Sequence, residues 1–287
     1  MTLTAPEPTA EGAARVAVPR TWLMCRPEHF TVEYRINPWM HPERPTDTSR
    51  ALAQWQSLHD LYVELGHDVR LIDPEPGLPD MVYAANGGFT IDGTAYAPLF
   101  AHPERAGEAP AYSRWFAENG FRVVDPDETN EGEGDFLLVG DTILAGTGFR
   151  SSNRSHEEVG RVFDREVVSL ELVDPRFYHL DTALAVLDPV TPAVGAPNIA
   201  YLPGAFDDPS RAELERRYPD AVLVSDEDAV WLGLNCISDG YNVIIAERAT
   251  GFEAALRERG YNPIGVDLSE LLLGGGGVKC CTLELRF

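Results

Sequence analysis

Cysteine is scarce in this chain of 287 residues, and its four cysteines are irregularly spaced. Cys25, Cys236, Cys280 and Cys281 include no CxxC pair of the kind that binds zinc, and they are too few for a disulfide scaffold. The N-terminus shows no apolar export signal. We therefore expect a cytoplasmic protein whose cysteines are free thiols in a reducing compartment.

Basic residues are also few: 23 Lys and Arg stand against 46 Asp and Glu, for a formal net charge of −23. This balance argues against a nucleic-acid partner, because a phosphate backbone requires Lys and Arg. It is compatible with a small cationic substrate, which a negative field attracts. The acidity can equally serve solubility alone.

Long apolar runs are absent, so no membrane span is expected. Residues 1–19 are rich in Ala, Pro, Glu and Thr, and we predict that they form a disordered tail. The remainder, residues 20–287, has an ordinary globular composition and is predicted to form a single catalytic domain.

One structural unit recurs along residues 20–287. Predicted helices lead into strands near positions 66, 120, 164, 218 and 260, and strand pairs lie between these junctions. Gly140-Asp141 and Asp239-Gly240 are hairpin signals within two of the pairs. Fixed-period repetition is typical of ring and array architectures. The pattern predicts an α/β fold, a five-bladed propeller of ββαβ units around one central cavity.

The C-terminal segment carries four glycines, Gly274 to Gly277, ahead of Cys280 and Cys281. We predict that the cysteines open a short strand, so that they face opposite ways and one thiol can enter a cleft. Our hypothesis is that Cys280 is a nucleophile. Two inert core cysteines are the alternative. A phosphate loop is disfavoured because Lys279 is followed by neither Ser nor Thr, and no helix follows.

Three polar segments are further candidates. His179-Leu180-Asp181 would place a base and a carboxylate on one strand face, as proton transfer requires. The segment 130–135 (NEGEGD) could bind a cation through Glu131 and its neighbours, and Asn86 precedes two glycines that interrupt an otherwise apolar predicted strand, residues 81–91. The alternatives are a structural histidine without a third metal ligand, an acidic turn and a hairpin turn.

Arg105 and Arg150 lie in polar, glycine-containing segments between predicted helices and strands. Arginine is suited to bind a carboxylate bidentately. Taken alone, either residue can be an ordinary surface arginine.

In chain order, these motifs resemble the guanidino-group-modifying superfamily, which includes arginine deiminase, dimethylargininase, arginine dihydrolase and the amidinotransferases. The resemblance covers about residues 20–287 and implies the same five-bladed propeller. It implies that Cys280 is the nucleophile, His179 the general acid/base, and Glu131 the carboxylate that orients His179 or holds the guanidinium.

The resemblance also implies how the substrate is held. Asp181 would bind the guanidinium, and Arg150 and Arg105 would bind the α-carboxylate of a small-molecule substrate. It implies neither a metal nor another cofactor, and it leaves a homo-oligomer open.

One position departs from the pattern of deiminases and dimethylargininases, which usually carry Asp where this chain has Asn86. Together with Asn37 in the segment 37–40 (NPWM), this asparagine resembles the arginine dihydrolase branch, so both are expected to bind substrate. The main prediction is therefore conversion of arginine to ornithine, carbon dioxide and two ammonia. Dimethylargininase, arginine deiminase and a non-catalytic arginine-binding protein are the alternatives.

Overall fold

A computed structural model of the chain describes residues 15–188 and 197–287. Its strands are β1 (Thr21–Cys25), β2 (Asp68–Ile72), β3 (Phe89–Ile91), β4 (Thr94–Tyr96), β5 (Arg122–Val124), β6 (Phe136–Val139), β7 (Thr142–Thr147), β8 (Glu166–Glu171), β9 (Leu184–Val186), β10 (Ile199–Tyr201), β11 (Val222–Leu223), β12 (Ile237–Ser238), β13 (Asn242–Ala246), β14 (Asn262–Val266) and β15 (Leu283–Glu284). Its helices are α1 (Thr48–Glu64), α2 (Glu108–Glu118), α3 (Asn153–Phe163), α4 (Leu180–Ala183), α5 (Asp208–Arg217), α6 (Asp226–Ala229) and α7 (Thr250–Glu258).

The strands form five three-stranded sheets of one design. In four of them an antiparallel pair is followed by a helix and then by a third strand parallel to the second, as in β3-β4-α2-β5. The same order recurs in β6 to β8, β9 to β11 and β12 to β14. The predicted ββαβ unit and five-bladed α/β propeller are confirmed.

The remaining sheet joins the two ends of the chain. Strand β15, three residues from the C-terminus, pairs antiparallel with β1, and β1 pairs parallel with β2 through α1. Leu23 lies opposite Leu283 in this register. The ring therefore closes through strand pairing between residues about as far apart in sequence as the chain allows.

Local sequence explains where the long helices begin and end. The Asp47 side chain accepts a hydrogen bond from the backbone N–H of Arg50 and caps α1. Gly66, at φ 87°, ends that helical segment in the left-handed region that glycine adopts readily. Ser152 caps α3, which ends at Asp164, the residue predicted as the third junction. The inward faces carry large buried side chains such as Trp55.

Three local predictions are wrong. The apolar segment before β3 is not a strand, because it forms two 3₁₀ turns, Pro79–Val82 and Ala84–Gly87. Cys280 and Cys281 do not open β15 but lie in the turn before it. His179 likewise caps the short helix α4 and is not in a strand with Asp181. In each case the backbone bends where it approaches the centre of the ring.

Residues 15–19, the described part of the predicted tail, contact two neighbouring blades, those of β9 to β11 and β12 to β14. The Arg15 guanidinium binds the Asp188 carboxylate at 2.6 Å, and the Val18 N–H donates to the Asp239 carbonyl at 2.9 Å. Residues 1–14 lie outside the described residues. No helix in the described ranges combines the length and the apolar character needed to span a membrane.

Candidate active site

Five turns, which we call the entry turns, precede the first strand of the five sheets. They comprise residues 84–88, 131–135, 179–183, 231–236 and 277–282, and they lead into β3, β6, β9, β12 and β15. The predicted residues Asn86, Glu131, His179, Asp181 and Cys280 all lie in these turns and are at most 3 % exposed. The repeat therefore collects candidates dispersed along the sequence into one buried cluster.

Cys280 is held between Asp181 and a residue that the sequence analysis missed, Asn235. The Cys280 thiol donates to the Asp181 carboxylate at 3.4 Å, and its sulphur accepts from the Asn235 amide at 3.1 Å. Burial and the Asp181 charge raise the pKa of Cys280 well above its ordinary value. The Cys280 side chain is therefore a neutral thiol at rest, and it needs a positive charge nearby to ionise.

Asp181 has the character of a cation ligand. Its Oδ1 is buried and finds no hydrogen-bond partner in the described ranges. Burial raises the pKa of Asp181 to about 6, and the nearby His179 and Lys279 charges only partly offset this effect. A buried carboxylate oxygen without a donor is satisfied best by a charged N–H group, as a guanidinium supplies.

His179 and Glu131 form a buried hydrogen-bonded pair. The Nε2 atom of His179 lies 2.7 Å from Glu131 Oε2. Burial raises the pKa of Glu131, but the Arg150 and His179 charges more than offset it, so the pKa lies far below its ordinary value. An ionised Glu131 fixes Nε2 as a donor and stabilises the imidazolium. The other ring nitrogen, Nδ1, is buried without a partner among the residues described and can exchange a proton with a substrate.

Arg150 contacts the His179–Glu131 pair through Glu131. Its guanidinium binds Glu131 Oε2 at 2.9 Å and the Ile36 carbonyl at 2.8 Å, and it stacks over the Tyr178 ring. These contacts leave only part of the guanidinium for a substrate carboxylate. The predicted role of Arg150 as a carboxylate ligand stays a prediction.

Arg105 is more fully engaged. It forms a bidentate ion pair with Glu108, at 2.7 and 2.8 Å, and donates to the Asn86 amide oxygen at 2.6 Å. The Asn86 amide nitrogen in turn donates to the Glu131 carbonyl at 3.2 Å. Arg105 and Asn86 thus form one buried unit at the wall of the site. Their direct binding to a substrate stays a prediction.

Asn37 links two loops. Its side-chain oxygen accepts from the N–H groups of Trp39 and Met40, and its nitrogen donates to the Gly274 carbonyl at 3.0 Å. The Tyr178 hydroxyl donates to the Gly275 carbonyl beside it, at 2.9 Å. Asn37 therefore shapes the glycine-rich segment that leads to Cys280, and its predicted contact with substrate stays a prediction.

Several other site residues escaped the sequence analysis. Asp80 is 1 % exposed, accepts from the Tyr34 hydroxyl at 2.9 Å, and keeps one carboxylate oxygen without a partner among the described residues. It lies in a Leu-Pro-Asp-Met segment with no distinctive motif. Asn235 had a usable signal, because it lies 45 residues before Cys280, the spacing that also separates Asn86 from Glu131. The register of the repeat predicts a site residue there.

Within residues 15–188 and 197–287 no group of three or more His, Cys, Asp or Glu side chains is arranged to hold a metal ion. The donors present instead combine a thiol, an acid/base pair and buried carboxylate oxygens. This set is suited to covalent catalysis on a planar cation.

Comparison with known proteins agrees with this chemistry. A family model described as N,N dimethylarginine dimethylhydrolase, eukaryotic, matches residues 26–287. An N(G),N(G)-dimethylarginine dimethylaminohydrolase of Mycobacterium tuberculosis is 52 % identical over 274 residues, covering 96 % of this chain and 88 % of that protein.

Arginine dihydrolases are similar as well. ArgZ of Synechocystis sp., a bifunctional arginine dihydrolase/ornithine cyclodeaminase, is 38 % identical over 92 % of this chain, which spans only 37 % of ArgZ. The crystal structure of a variant of its N-terminal domain, covalently bound to a reaction intermediate, superposes with a TM-score of 0.86 at 37 % identity, covering 92 % of this chain and 97 % of that domain.

Proposed function

The chain belongs to the N,N-dimethylarginine dimethylhydrolase family and is a hydrolase of amidine C–N bonds, and we propose that it converts Nω,Nω-dimethylarginine to citrulline and dimethylamine. The observation that carries the chemistry is the joint burial of Cys280, Asp181, His179 and Glu131 in three entry turns. The 52 % identity to a dimethylarginine dimethylaminohydrolase supports the choice of substrate.

The substrate would bind as a cation. Its guanidinium donates to the unpartnered oxygen of Asp181 and lies beside the Cys280 sulphur, which is hydrogen-bonded to the same carboxylate. The positive charge lowers the pKa of the thiol because it stabilises the thiolate. Ionisation of Cys280, with loss of the thiol proton to solvent, is thereby coupled to the arrival of the substrate.

The first half-reaction forms the covalent intermediate. The Cys280 thiolate attacks the guanidinium carbon, and a C–S bond forms. The imidazolium of His179, stabilised by Glu131 at 2.7 Å, gives its Nδ1 proton to the departing dimethylamine as the C–N bond breaks. An amidino thioether remains on Cys280.

The second half-reaction restores the enzyme. The neutral imidazole of His179 takes a proton from water, and the resulting hydroxide adds to the same carbon. The C–S bond then breaks, the departing Cys280 sulphur takes the proton of the carbon-bound hydroxyl, and citrulline is released with the thiol and the imidazolium restored. One water is consumed for each dimethylamine formed.

Arginine dihydrolase is the second candidate, and the geometry of Asn86 favours it. A dihydrolase must repeat the cycle on citrulline, whose ureido group is neutral. Asn86 brings no charge into the wall shared with Arg105 and Glu131, and it offers both a donor and an acceptor. An aspartate there would add a negative charge that suits a cation better than a urea.

Product analysis tests the proposal. The pure protein is incubated separately with arginine, citrulline and asymmetric dimethylarginine, and the products are followed by mass spectrometry, with Cys280→Ser as the control. Citrulline and dimethylamine from the methylated substrate would support the proposal. Ornithine with two ammonia per arginine would instead establish the dihydrolase, and no product from any of the three would contradict both.

A further inference from the structure

Asn235 is the contribution of the fourth entry turn to the site. It is fully buried, and its side chain contacts two other entry turns, at Asp181 and at Cys280. The other four entry turns each supply a residue that the resemblance links to the reaction. Asn235 occupies the equivalent place in the fourth blade, 54 residues after Asp181 and 45 before Cys280.

The orientation of the Asn235 amide is set by its partners. Its oxygen accepts from the Cys280 backbone N–H at 3.0 Å, which can only donate. Its nitrogen donates to the Asp181 backbone carbonyl at 3.1 Å, which can only accept. The nitrogen must therefore also be the atom that faces the Cys280 sulphur at 3.1 Å.

The backbone around Asn235 is built to hold this position. Leu232, three residues earlier, adopts φ 55°, in the left-handed region that bulky residues avoid, and its carbonyl accepts from the Asn235 N–H. On the other side, a Cβ added at Gly277 would lie 3.0 Å from the Asn235 side-chain oxygen. Strained backbone that persists at a site is a mark of function.

We propose that Asn235 stabilises the Cys280 thiolate, donating an amide N–H to the sulphur while it fixes the nucleophile's backbone. Asp181 and Asn235 approach the sulphur with opposite roles: the carboxylate accepts a hydrogen bond from the neutral thiol, and the amide donates a hydrogen bond to the sulphur. The inference rests on the proposed function in one respect, that Cys280 is the nucleophile.

The test uses Asn235→Asp, which keeps an acceptor for the Cys280 N–H but replaces the donor with oxygen. The pH dependence of Cys280 alkylation by iodoacetamide is followed by peptide mass spectrometry, together with kcat and KM for turnover. Losing a charge-assisted hydrogen bond should raise the apparent thiol pKa by about one to two pH units. The kcat should fall by about tenfold to a hundredfold, with KM little changed.

Two further variants keep the test decisive. Gly277→Ala would place a Cβ 3.0 Å from the Asn235 side-chain oxygen. It should shift the alkylation profile to higher pH, as Asn235→Asp does, but by a smaller amount. This measurement stays available if Asn235→Asp fails to fold. Asn242→Ala is the matched control: Asn242 is buried in the same blade and donates to Asp239 at 2.8 Å. Its alkylation profile should follow that of the wild type.

Unchanged profiles in both Asn235→Asp and Gly277→Ala would overturn the inference. The alkylation assay needs no substrate, so it tests the role of Asn235 separately from the proposed function. A shifted profile in a protein that turns over no guanidino compound would uphold the role of Asn235 and reject the proposed function.

Discussion

The Cys280 sulphur has two polar neighbours, the Asp181 carboxylate and the Asn235 amide. The Asp181 carboxylate accepts a hydrogen bond from the thiol at 3.4 Å, and burial together with this carboxylate keeps the pKa of the thiol raised. The adjacent Cys281 is fully buried in an apolar cluster with Trp22 and Leu271 and has no such neighbours at its sulphur among the described contacts. Two consecutive thiols therefore differ in chemistry because their surroundings differ.

We predict that Cys280→Ser lowers turnover by at least about a thousandfold, because an alcohol is a far weaker nucleophile at neutral pH than a thiolate. Cys281→Ala should retain turnover and only lower the melting temperature, because it deletes a packed core atom. Steady-state kinetics and thermal unfolding of both variants check this. Comparable turnover in the two would refute the assignment of Cys280.

Asn86→Asp tests the origin of the substrate preference. The new carboxylate keeps its bond to Arg105 but loses the donor that binds the Glu131 carbonyl at 3.2 Å. If the wild type forms ornithine, we expect the variant to release it at least about tenfold more slowly, while the first step to citrulline persists. Ornithine release at an undiminished rate would show that the neutral amide is irrelevant.

Asp181 predicts a pH dependence of catalysis. A cationic substrate requires the ionised carboxylate, and the pKa of Asp181 is about 6. The kcat/KM should therefore fall as the pH drops through about 6, since this ratio reports ionisations of the free enzyme. Measuring kcat/KM from pH 4.5 to pH 8 checks this, and a flat profile would count against it.

Asp181 also predicts a pH dependence of stability. The folded protein raises this pKa above its ordinary value of 3.8, so folding favours the neutral carboxyl. That stabilisation is present below the ordinary value and is lost as the pH rises through about 6. Asp181→Asn should thus be more stable than the wild type at pH 8, by up to about 3 kcal/mol, and nearly equal to it at pH 4. Urea unfolding at both pH values gives the difference.

At the scale of the elements, the entry turns pack backbone against backbone. Gly132 has φ 55°, and a Cβ there would lie 2.5 Å from the Gly88 carbonyl oxygen. The next residue, Glu133, donates its N–H to that same carbonyl at 3.0 Å. The glycines before β3 and β6 thus permit the contact between turns that brings Asn86 to the Glu131 backbone.

Gly132→Ala should destabilise the protein by about 3 kcal/mol, since both the left-handed backbone and the close carbonyl oppose a side chain. Gly204→Ala is the matched control, because nothing lies within 4 Å of its added Cβ. Thermal unfolding of both variants is the measurement. Equal melting temperatures would contradict the packing argument.

At the scale of the whole molecule, a buried charge cluster joins the two ends of the chain. Lys279, the only lysine in the sequence, binds Glu133 at 2.7 Å, and Arg286 binds the other oxygen of Glu133 at 2.5 Å. Glu284 in β15 links Arg286 to Arg20, just before β1. Strand pairing and charge pairing therefore close the ring together.

Lys279→Met should lower the free energy of unfolding by about 2 kcal/mol, less than the loss of about 3 to 5 kcal/mol for an isolated buried pair, because Arg286 still neutralises Glu133. Adding Glu133→Gln to Lys279→Met should cost less than the sum of the single changes. A double-mutant cycle by urea unfolding measures this coupling. Additive effects would show that the cluster does not act as a unit.

The sequence by itself determined the repeat, because helix caps, glycine stops and apolar periodicity are local signals that recur in every blade. It also determined most of the candidate chemistry, since Cys280, His179 and Asp181 lie in recognisable motifs. It failed in and just before the entry turns, where residues 81–88 and Cys280 were predicted as strand. Contacts from other blades help to fix these turns, such as the hydrogen bond from the Ala85 N–H to the Cys280 carbonyl, and a local pattern does not reveal such contacts.

Only the tertiary structure decided which groups meet. Asn235 contacts a thiol 45 residues away, Arg150 pairs with Glu131, and β15 pairs with β1 across nearly the whole chain. These contacts depend on closing the ring, which brings the five entry turns to one centre. Local preferences act over a few residues, whereas the site is a property of five segments that meet only when the fold is complete.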